Sequence, residues 1–344
     1  MSQFKHIYAI FIALIFVNLL SACSPAQEKK FQLTGTTMGT SYHITFKAMS
    51  DAVEVEHIQI KVDKALLGVN EIASTYMEDS ELSLFNAKKS TLPIAASDEF
   101  REMLSEAIRL ESFTNGYLDV TIGSLVNLWG FGPANRPETT PTDEMIAQAR
   151  DKFGIRFLSI EGTTVSKANP DIYLDLSTLA KGYGVDVVAD LLDSKGIHDY
   201  LVEIGGEIRT KGTSLENKNW VIAVEKPVSE TRAIQRVITP KDNAIATAGD
   251  YRNFYEENNV RYSHLIDPKT GRPITHRMVS TSVISPSCMV ADGLSTAFMI
   301  MGLDKAMNLA NEHNIAALFI TKNLDGTFSE HHSEAFTPYL KSQS

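Results

Sequence analysis

The N-terminal segment sets the terms on which the rest of this chain can fold. Lys5 precedes an apolar stretch from Ile7 to Leu20, which runs into Leu20-Ser21-Ala22-Cys23. A basic start, a short apolar core and a small-residue cleavage site describe a bacterial secretory signal. The Leu-Ser-Ala-Cys ending reads as a lipobox, in which Cys23 becomes the lipid-carrying first residue of the mature chain. A transmembrane anchor is the competing reading, but the stretch falls short of the roughly 20 apolar residues that a span needs. On either reading the bulk of the chain lies outside the cytoplasm. With Cys23 lipidated, Cys288 is the only thiol left, so no internal disulfide can form and the exported part must rest on its own core.

There is chain enough for such a core. The sequence has 344 residues and a hydrophobic fraction of 43%, which by length allows one large or two ordinary domains. The formal charge of −10 becomes −11 once the segment bearing Lys5 is removed, and no dense Lys/Arg run appears. That excludes a nucleic-acid-binding class. It also excludes a broad electrostatic grip on phosphates, so any phosphate chemistry must use a metal or a few chosen cations.

Periodicity gives the organisation. Residues 24–30 read as a polar tether, and 35–46 run from a Gly/Thr turn into an alternating strand. Val55, Ile58, Val62, Ala65, Leu66, Val69, Ile72 and Ala73 recur at helical spacing. A second helix is expected from Ser97, as N-cap, to the Asn115-Gly116 stop. Three prolines make 132–144 the most loop-like internal stretch, and 171–196 reads strand, turn, helix and glycine stop. From His198 to Ser285 the pattern is strand-rich, with a hairpin expected about Gly205-Gly206. A helix from about Met289 to Met301, another helix, a strand near 315–321 and a polar tail complete the chain. Helices and strands without regular βα alternation favour α+β over a doubly wound sheet. The expectation is one compact α+β domain over 33–330, with room for two lobes, preceded by a signal (1–22) and tether (23–32) and followed by a tail (331–344).

Three stretches carry chemistry. "DLSTLAKGYGVD" (175–186) opens like a dinucleotide fingerprint, but the third glycine position holds Val187, and no Walker sequence exists. Asp175 and Ser177 can equally be helix-capping residues. In "VADGLSTAFMIMG" (290–302) Asp292 and Thr296 are four apart and share a helix face, while Leu294, Ala297, Phe298 and Met301 can bury another. A carboxylate and a hydroxyl on one ridge suit a hard cation such as Mg²⁺, whose shell substrate phosphates complete. Such a pair is also common on a solvated face. In "YSHLIDPKTGRPI" (262–274) a histidine stands where a plain strand would carry Val or Thr, beside an ordinary turn sequence.

Seven stretches in order, "GTTMGT" (35–40), "STYMEDSELSLFN" (74–86), "GYLDVTIGSLVNLWGFGP" (116–133), "DLSTLAKGYGVD", "VEIGGEI" (202–208), "SHLIDPKTGRPI" and "VISPSCMVADGLSTA" (283–297), closely resemble the ApbE-type FAD:protein FMN transferases. The resemblance covers roughly residues 33–325. It implies a T-fold-like α+β domain in a periplasmic, often lipid-anchored, Mg²⁺-dependent enzyme. Such an enzyme splits the pyrophosphate of FAD, joins FMN through a phosphoester to a threonine (sometimes serine) of an acceptor protein, and releases AMP. Its acceptors are subunits of membrane ion-pumping redox complexes and related flavoproteins.

By motif position, the resemblance implies that Met38 and Tyr76 pack against the rings of FAD, and that Tyr117, Leu118 and Asp119 line its site. It further implies FAD contacts at Asp175, Lys181 and His264. Gly205 and Gly206 match a glycine pair where a missing Cβ lets backbone approach a ligand; a hairpin turn accounts for them equally well. Metal binding falls on Asp292, Thr296 and a main-chain oxygen of Thr178. Ala73 stands where many relatives have methionine, which alters the packing on one side of the cofactor. His264 matches the histidine of the Ser-His-x-x-Asp-Pro signature and is expected to orient or deprotonate the attacking hydroxyl, with Asp292 as its rival. Asp267 is expected to cap the adjoining turn. Water as acceptor would make a FAD pyrophosphatase, and loss of chemistry would leave a flavin- or solute-binding lipoprotein. Acceptors of this kind favour the inner membrane, whereas Ser24 after the lipid cysteine leaves the outer membrane open.

Overall fold

The computed structural model describes residues 28–49, 54–133, 139–227, 233–250, 254–257 and 260–340. Cys23 and the signal segment lie outside the described residues. The frame is an eight-stranded sheet: β1 (Glu28–Thr37), β2 (Thr40–Met49), β3 (Asp199–Ile204), β4 (Glu207–Lys211), β5 (Ala244–Gly249), β6 (Met278–Ser285), β7 (Ala316–Lys322) and β8 (Phe328–His332). Each strand pairs antiparallel with the next in the chain, so the sheet is a meander. Among the described residues, every other element except a C-terminal 3₁₀ turn is inserted between its strands. Between β2 and β3 come the long helices α1 (Val55–Ala73), α2 (Asp98–Phe113) and α3 (Ser177–Ser194), with short helices at Glu81–Ala87, Gly123–Leu128 and Asp143–Arg150 and a small three-stranded sheet. Between β6 and β7 come α4 (Cys288–Met301) and α5 (Leu303–Glu312). The α+β class expected from the chain is what the structure has.

Two hairpins of the meander rest on turn chemistry. Met38 and Gly39 both have positive φ, 50° and 70°, and join Thr37 to Thr40 by the tight turn that matches strand twist. Gly205 and Gly206, at φ 60° and 107°, do the same between Ile204 and Glu207. A Cβ on Gly205 would lie 2.8 Å from Thr40 Cγ2, so glycine is needed there for space as well as for φ.

The helices cover one face of the sheet. On β7, Ala317 and Phe319 point to the helical core, while Ala316 and Leu318 point to the opposite face, as strand alternation requires. That opposite face is covered by the Ile222–Glu225/Ile234–Ile238 hairpin and by Phe336. α4 is the central helix; all its residues except Val290 are buried. It crosses α3 closely because residue 182 is glycine: a Cβ there would overlap the Cys288 carbonyl. Asp186 of α3 fastens the crossing. Its carboxylate accepts from Ser287 Oγ (2.8 Å) and from the backbone N–H of Cys288 and Met289 (3.0 Å each), and Arg209 Nη1 pairs with it at 2.9 Å.

Two segments differ from expectation. Glu28–Lys30, read as tether, pair with Lys47–Met49; their exposure on an edge strand is why they look like linker. The tail also packs. β8 runs to His332, a 3₁₀ turn spans Glu334–Tyr339, and Phe336 is fully buried; its apolar residues are too sparse to show a period in the sequence. Among the described residues no helix is long and apolar enough to cross a membrane.

Candidate active site

The two large insertions meet over the ends of β4 and β5 and enclose a cavity of about 470 Å³. A second chamber of about 520 Å³ opens between the Met38-Gly39 turn, the end of α1 and the start of α3. Thr75, Tyr76, Asp175, Ser177 and Lys181 line both, so the chambers form one elongated groove with its junction at the N-terminus of α3.

Tyr76, Tyr117, Leu118, Asp119, Asp175, Thr178, Lys181, Gly205, His264, Asp292 and Thr296 all line the first chamber. Met38 lines the second, as does Ala73. Gly206 lines neither; it closes the hairpin and donates its N–H to Glu203 Oε1 at 2.7 Å. The structure therefore brings together residues that lie up to 258 positions apart in the chain, from Met38 to Thr296.

Each is held by local structure. The Asn115-Gly116 stop, with φ of 52° and 77°, turns the chain out of α2 and presents 117–119 to the cavity. Tyr117 is fixed from outside: Lys305 Nζ donates to its hydroxyl at 2.6 Å, and Lys269 Nζ lies 4.2 Å from its ring centroid. Asp119 accepts from the Thr121 N–H and hydroxyl, and burial raises its pKa despite these bonds. Asp175 accepts the N–H of Ser177 at 2.9 Å, so it steadies the start of α3 while also facing the cavity. Tyr76 stands at the rim, 75% exposed.

His264 follows the Phe254–Glu257/Val260–Ser263 hairpin. An aromatic series supports it from behind: Phe131 meets its ring edge-on at 6.2 Å, Tyr255 stacks on Phe131 at 5.4 Å, Tyr262 stacks on Tyr255, and Trp129 lies against Tyr262. Trp129 Nε1 donates to the Gly271 carbonyl at 2.8 Å. Asp267 closes the turn, accepting from Lys269 N with its side chain and from Gly271 N with its carbonyl. The histidine is thus mounted between a capped turn and an aromatic stack.

The charged centre lies in the first chamber and reaches the junction through Lys181. Asp292 is buried on α4; its Oδ2 accepts the Gly182 N–H at 3.0 Å, and its Oδ1 is 3.7 Å from Lys181 Nζ. Lys181 Nζ also pairs with Glu207 Oε1 at 2.6 Å. Glu207, 2% exposed at the head of β4, was not singled out from the sequence; a glutamate after a Gly-Gly turn reads as solvated surface, and only strand alternation hints that it points inward. Burial raises the pKa of Asp292, against the pull of Lys181 and the Gly182 N–H. Burial likewise pushes Glu207 up to about 7, with Lys181 opposing. For Lys181, burial would lower the pKa, but the charges of Asp292 and Glu207 outweigh it and the net shift is upward.

With both carboxylates ionised against one ammonium the group carries a buried surplus of negative charge, which is part of why Glu207 is shifted upward beside Asp292. Glu207 Oε2 and Thr178 Oγ1 are buried and find no hydrogen-bond partner among the described residues. Among those residues no group of three or more His, Cys, Asp or Glu side chains is arranged to hold a metal. The donors at the junction are instead carboxylates and hydroxyls, an all-oxygen set of the kind a hard divalent cation takes when a substrate supplies the rest of its shell. These residues fit such an ion.

The chain is similar to known proteins over nearly its whole length. The ApbE family profile matches residues 38–319. A protein from Vibrio cholerae named FAD:protein FMN transferase is 50% identical over 329 residues, covering 96% of this chain and 98% of its own. The solved structure titled flavin transferase ApbE from Vibrio cholerae superposes with a TM-score of 0.85 over 91% of this chain and 100% of its own, at 50% identity. The apo flavinyl transferase ApbE of Pseudomonas stutzeri does so with a TM-score of 0.85 at 35% identity, over 94% and 100%.

Proposed function

The chain belongs to the ApbE family, and from that premise we propose that it transfers the FMN moiety of FAD to acceptor proteins. The observation that carries this reading is the two-chambered groove with its charged junction. A dinucleotide has two ring systems joined by a pyrophosphate; the groove has two chambers that share Lys181 at their junction. Asp292 lies 3.7 Å from its ammonium, and Thr296, four residues further along α4, lines the first chamber with it. The ring systems occupy the chambers, with Met38 and Tyr76 against one of them, and the pyrophosphate crosses the junction.

Asp292, Thr296 and the main-chain oxygen of Thr178 are the residues that would hold Mg²⁺. When bound, the ion supplies charge stabilisation to the phosphate oxygens of the reacting group. The remaining work belongs to the chain. An acceptor threonine (or serine) enters past the exposed Tyr76 rim, and its Oγ attacks the FMN-side phosphorus. The new Oγ–P bond forms as the P–O bond to the AMP half breaks, and AMP leaves with that electron pair. His264 takes the hydroxyl proton. Asp292 is the weaker candidate for that task, because its oxygens are already engaged by the Gly182 N–H and by Lys181. Lys181 supports the departing phosphate.

The signal segment and Cys23 support a periplasmic, lipid-anchored protein, inner-membrane if its acceptors are subunits of redox-driven ion pumps. Intact-mass measurement of a flavoprotein acceptor after incubation with FAD and Mg²⁺ tests the reading. The acceptor is expected to gain one FMN phosphoester on threonine or serine. An acceptor of unchanged mass, with FAD cleaved, would make the protein a FAD pyrophosphatase; intact FAD bound without reaction would make it a flavin-binding lipoprotein.

A further inference from the structure

The charged junction has one member to which the reaction above gives no part. Glu207 is as buried as Asp292, lines the first chamber with it, and reaches the same ammonium. One of its oxygens is taken by Lys181; the other, Oε2, is buried and unpartnered among the described residues. A buried carboxylate oxygen without a partner is costly. Its cost is removed if a ligand supplies a positive charge at that place. Lys181 Nζ, meanwhile, lies 2.6 Å from one carboxylate and 3.7 Å from the other, so a positive charge already sits between the two.

We propose that Glu207 is a further member of the cation-binding set, and that the Lys181 ammonium is an internal counter-ion held by Glu207 and Asp292 in the cation's place. The inference rests on the reading of Asp292 as a metal ligand. A divalent ion entering the junction displaces Nζ from between the carboxylates. Lys181, 32% exposed and lining both chambers, then has room to turn its ammonium toward the phosphates of the substrate. Cation and dinucleotide thereby bind cooperatively: the ion releases the lysine that the pyrophosphate needs, and the pyrophosphate gives the lysine a new partner.

The test is Mn²⁺ binding to the full-length chain in detergent without FAD, followed by loss of the free-ion EPR signal. Lys181→Met is expected to bind Mn²⁺ about tenfold more tightly than the parent, since the internal competitor is gone, and the double variant Lys181→Met/Glu207→Gln at least about tenfold more weakly than Lys181→Met. Comparing these two variants removes the trivial explanation that Glu207→Gln merely frees Lys181 to claim Asp292. Glu207→Asp in the Lys181→Met background keeps the charge but shortens its reach; an intermediate affinity supports the proposal and guards against misfolding of the Glu207→Gln variant. Equal affinity for the single and double variants would remove Glu207 from the set. A Lys181→Met chain that binds no more tightly than the parent would overturn the counter-ion role. If Lys181→Met/Asp292→Asn also binds as Lys181→Met does, the metal reading itself fails, and the inference falls with it.

Discussion

Two lysines withdrawn from water mark two regions of this molecule, and their surroundings have moved their pKa values in opposite directions. Lys167, in the small three-stranded sheet, is fully buried. Its ammonium donates to the carbonyls of Phe85 (2.9 Å) and Ile172 (3.4 Å) and lies 4.8 Å from the Phe85 ring. Burial lowers its pKa to about 8, because partial charges on carbonyls replace lost water only in part. For Lys181 burial would lower the pKa too, but the charges of Asp292 and Glu207 outweigh it and the net shift is upward. Lys167 closes its own hydrogen bonds and ties the segment before Asp175 to the Glu81–Ala87 helix. Lys181 belongs to a group whose charges do not cancel. The lesson is that buried charge alone does not mark a site; buried charge left unbalanced does.

The comparison can be broken at several points. The largest effect is expected from Asp292→Ala, which removes the carboxylate at the centre of the unbalanced group. FMN transfer should fall roughly a thousandfold or more and lose its dependence on Mg²⁺ concentration; a variant with the parent's metal profile removes Asp292 as a ligand. His264→Ala comes next, with transfer reduced on the order of a hundredfold while FAD affinity stays within a few-fold. Equilibrium FAD binding measured beside the transfer rate separates the two, and unchanged transfer would exclude the histidine. Gly182→Ala should destabilise the fold by about 1–3 kcal/mol, read as a lower urea midpoint, because its Cβ meets the Cys288 carbonyl and forces α3 from α4.

Lys167 gives the smallest effect and the sharpest contrast. Lys167→Met should leave the transfer rate near that of the parent. The pH dependence of stability follows from a folded pKa of about 8 against an ordinary 10.5. Between those values the unfolded chain holds the proton and the folded chain does not. The unfolded state then binds more protons, so stability rises with pH through that window, and below about 8 the cost of the buried charge is fully present. Urea melts from pH 8 to 10.5 should show this rise in the parent and its reduction in Lys167→Met. Melts with the same slope in both would mean that Lys167 is not the buried base.

Much of this was legible in the sequence where the signal is local. The Val55–Ala73 helix, the Ser97 cap and the Gly205-Gly206 hairpin follow from apolar spacing, a capping side chain and paired glycines within a few residues. The meander was not legible, because β2 and β3 are neighbours in space with about 150 residues between them, and nothing in either strand names its partner. At the site, motif order was enough to collect residues that the structure does place round one groove. Glu207 escaped notice because its chemistry depends on burial, which a glutamate in a strand does not advertise. The support behind His264 escaped for a similar reason: Phe131, Tyr255 and Trp129 read as ordinary apolar residues until the hairpin stacks them.

The most direct measurement couples the two products. The full-length chain in detergent is incubated with FAD and Mg²⁺, with and without a periplasmic flavoprotein acceptor, and AMP is quantified beside flavin fluorescence fixed on the acceptor in a denaturing gel. The account predicts AMP only when the acceptor is present, one for each flavin fixed. AMP in both tubes with no fixed flavin would contradict it and make water the acceptor.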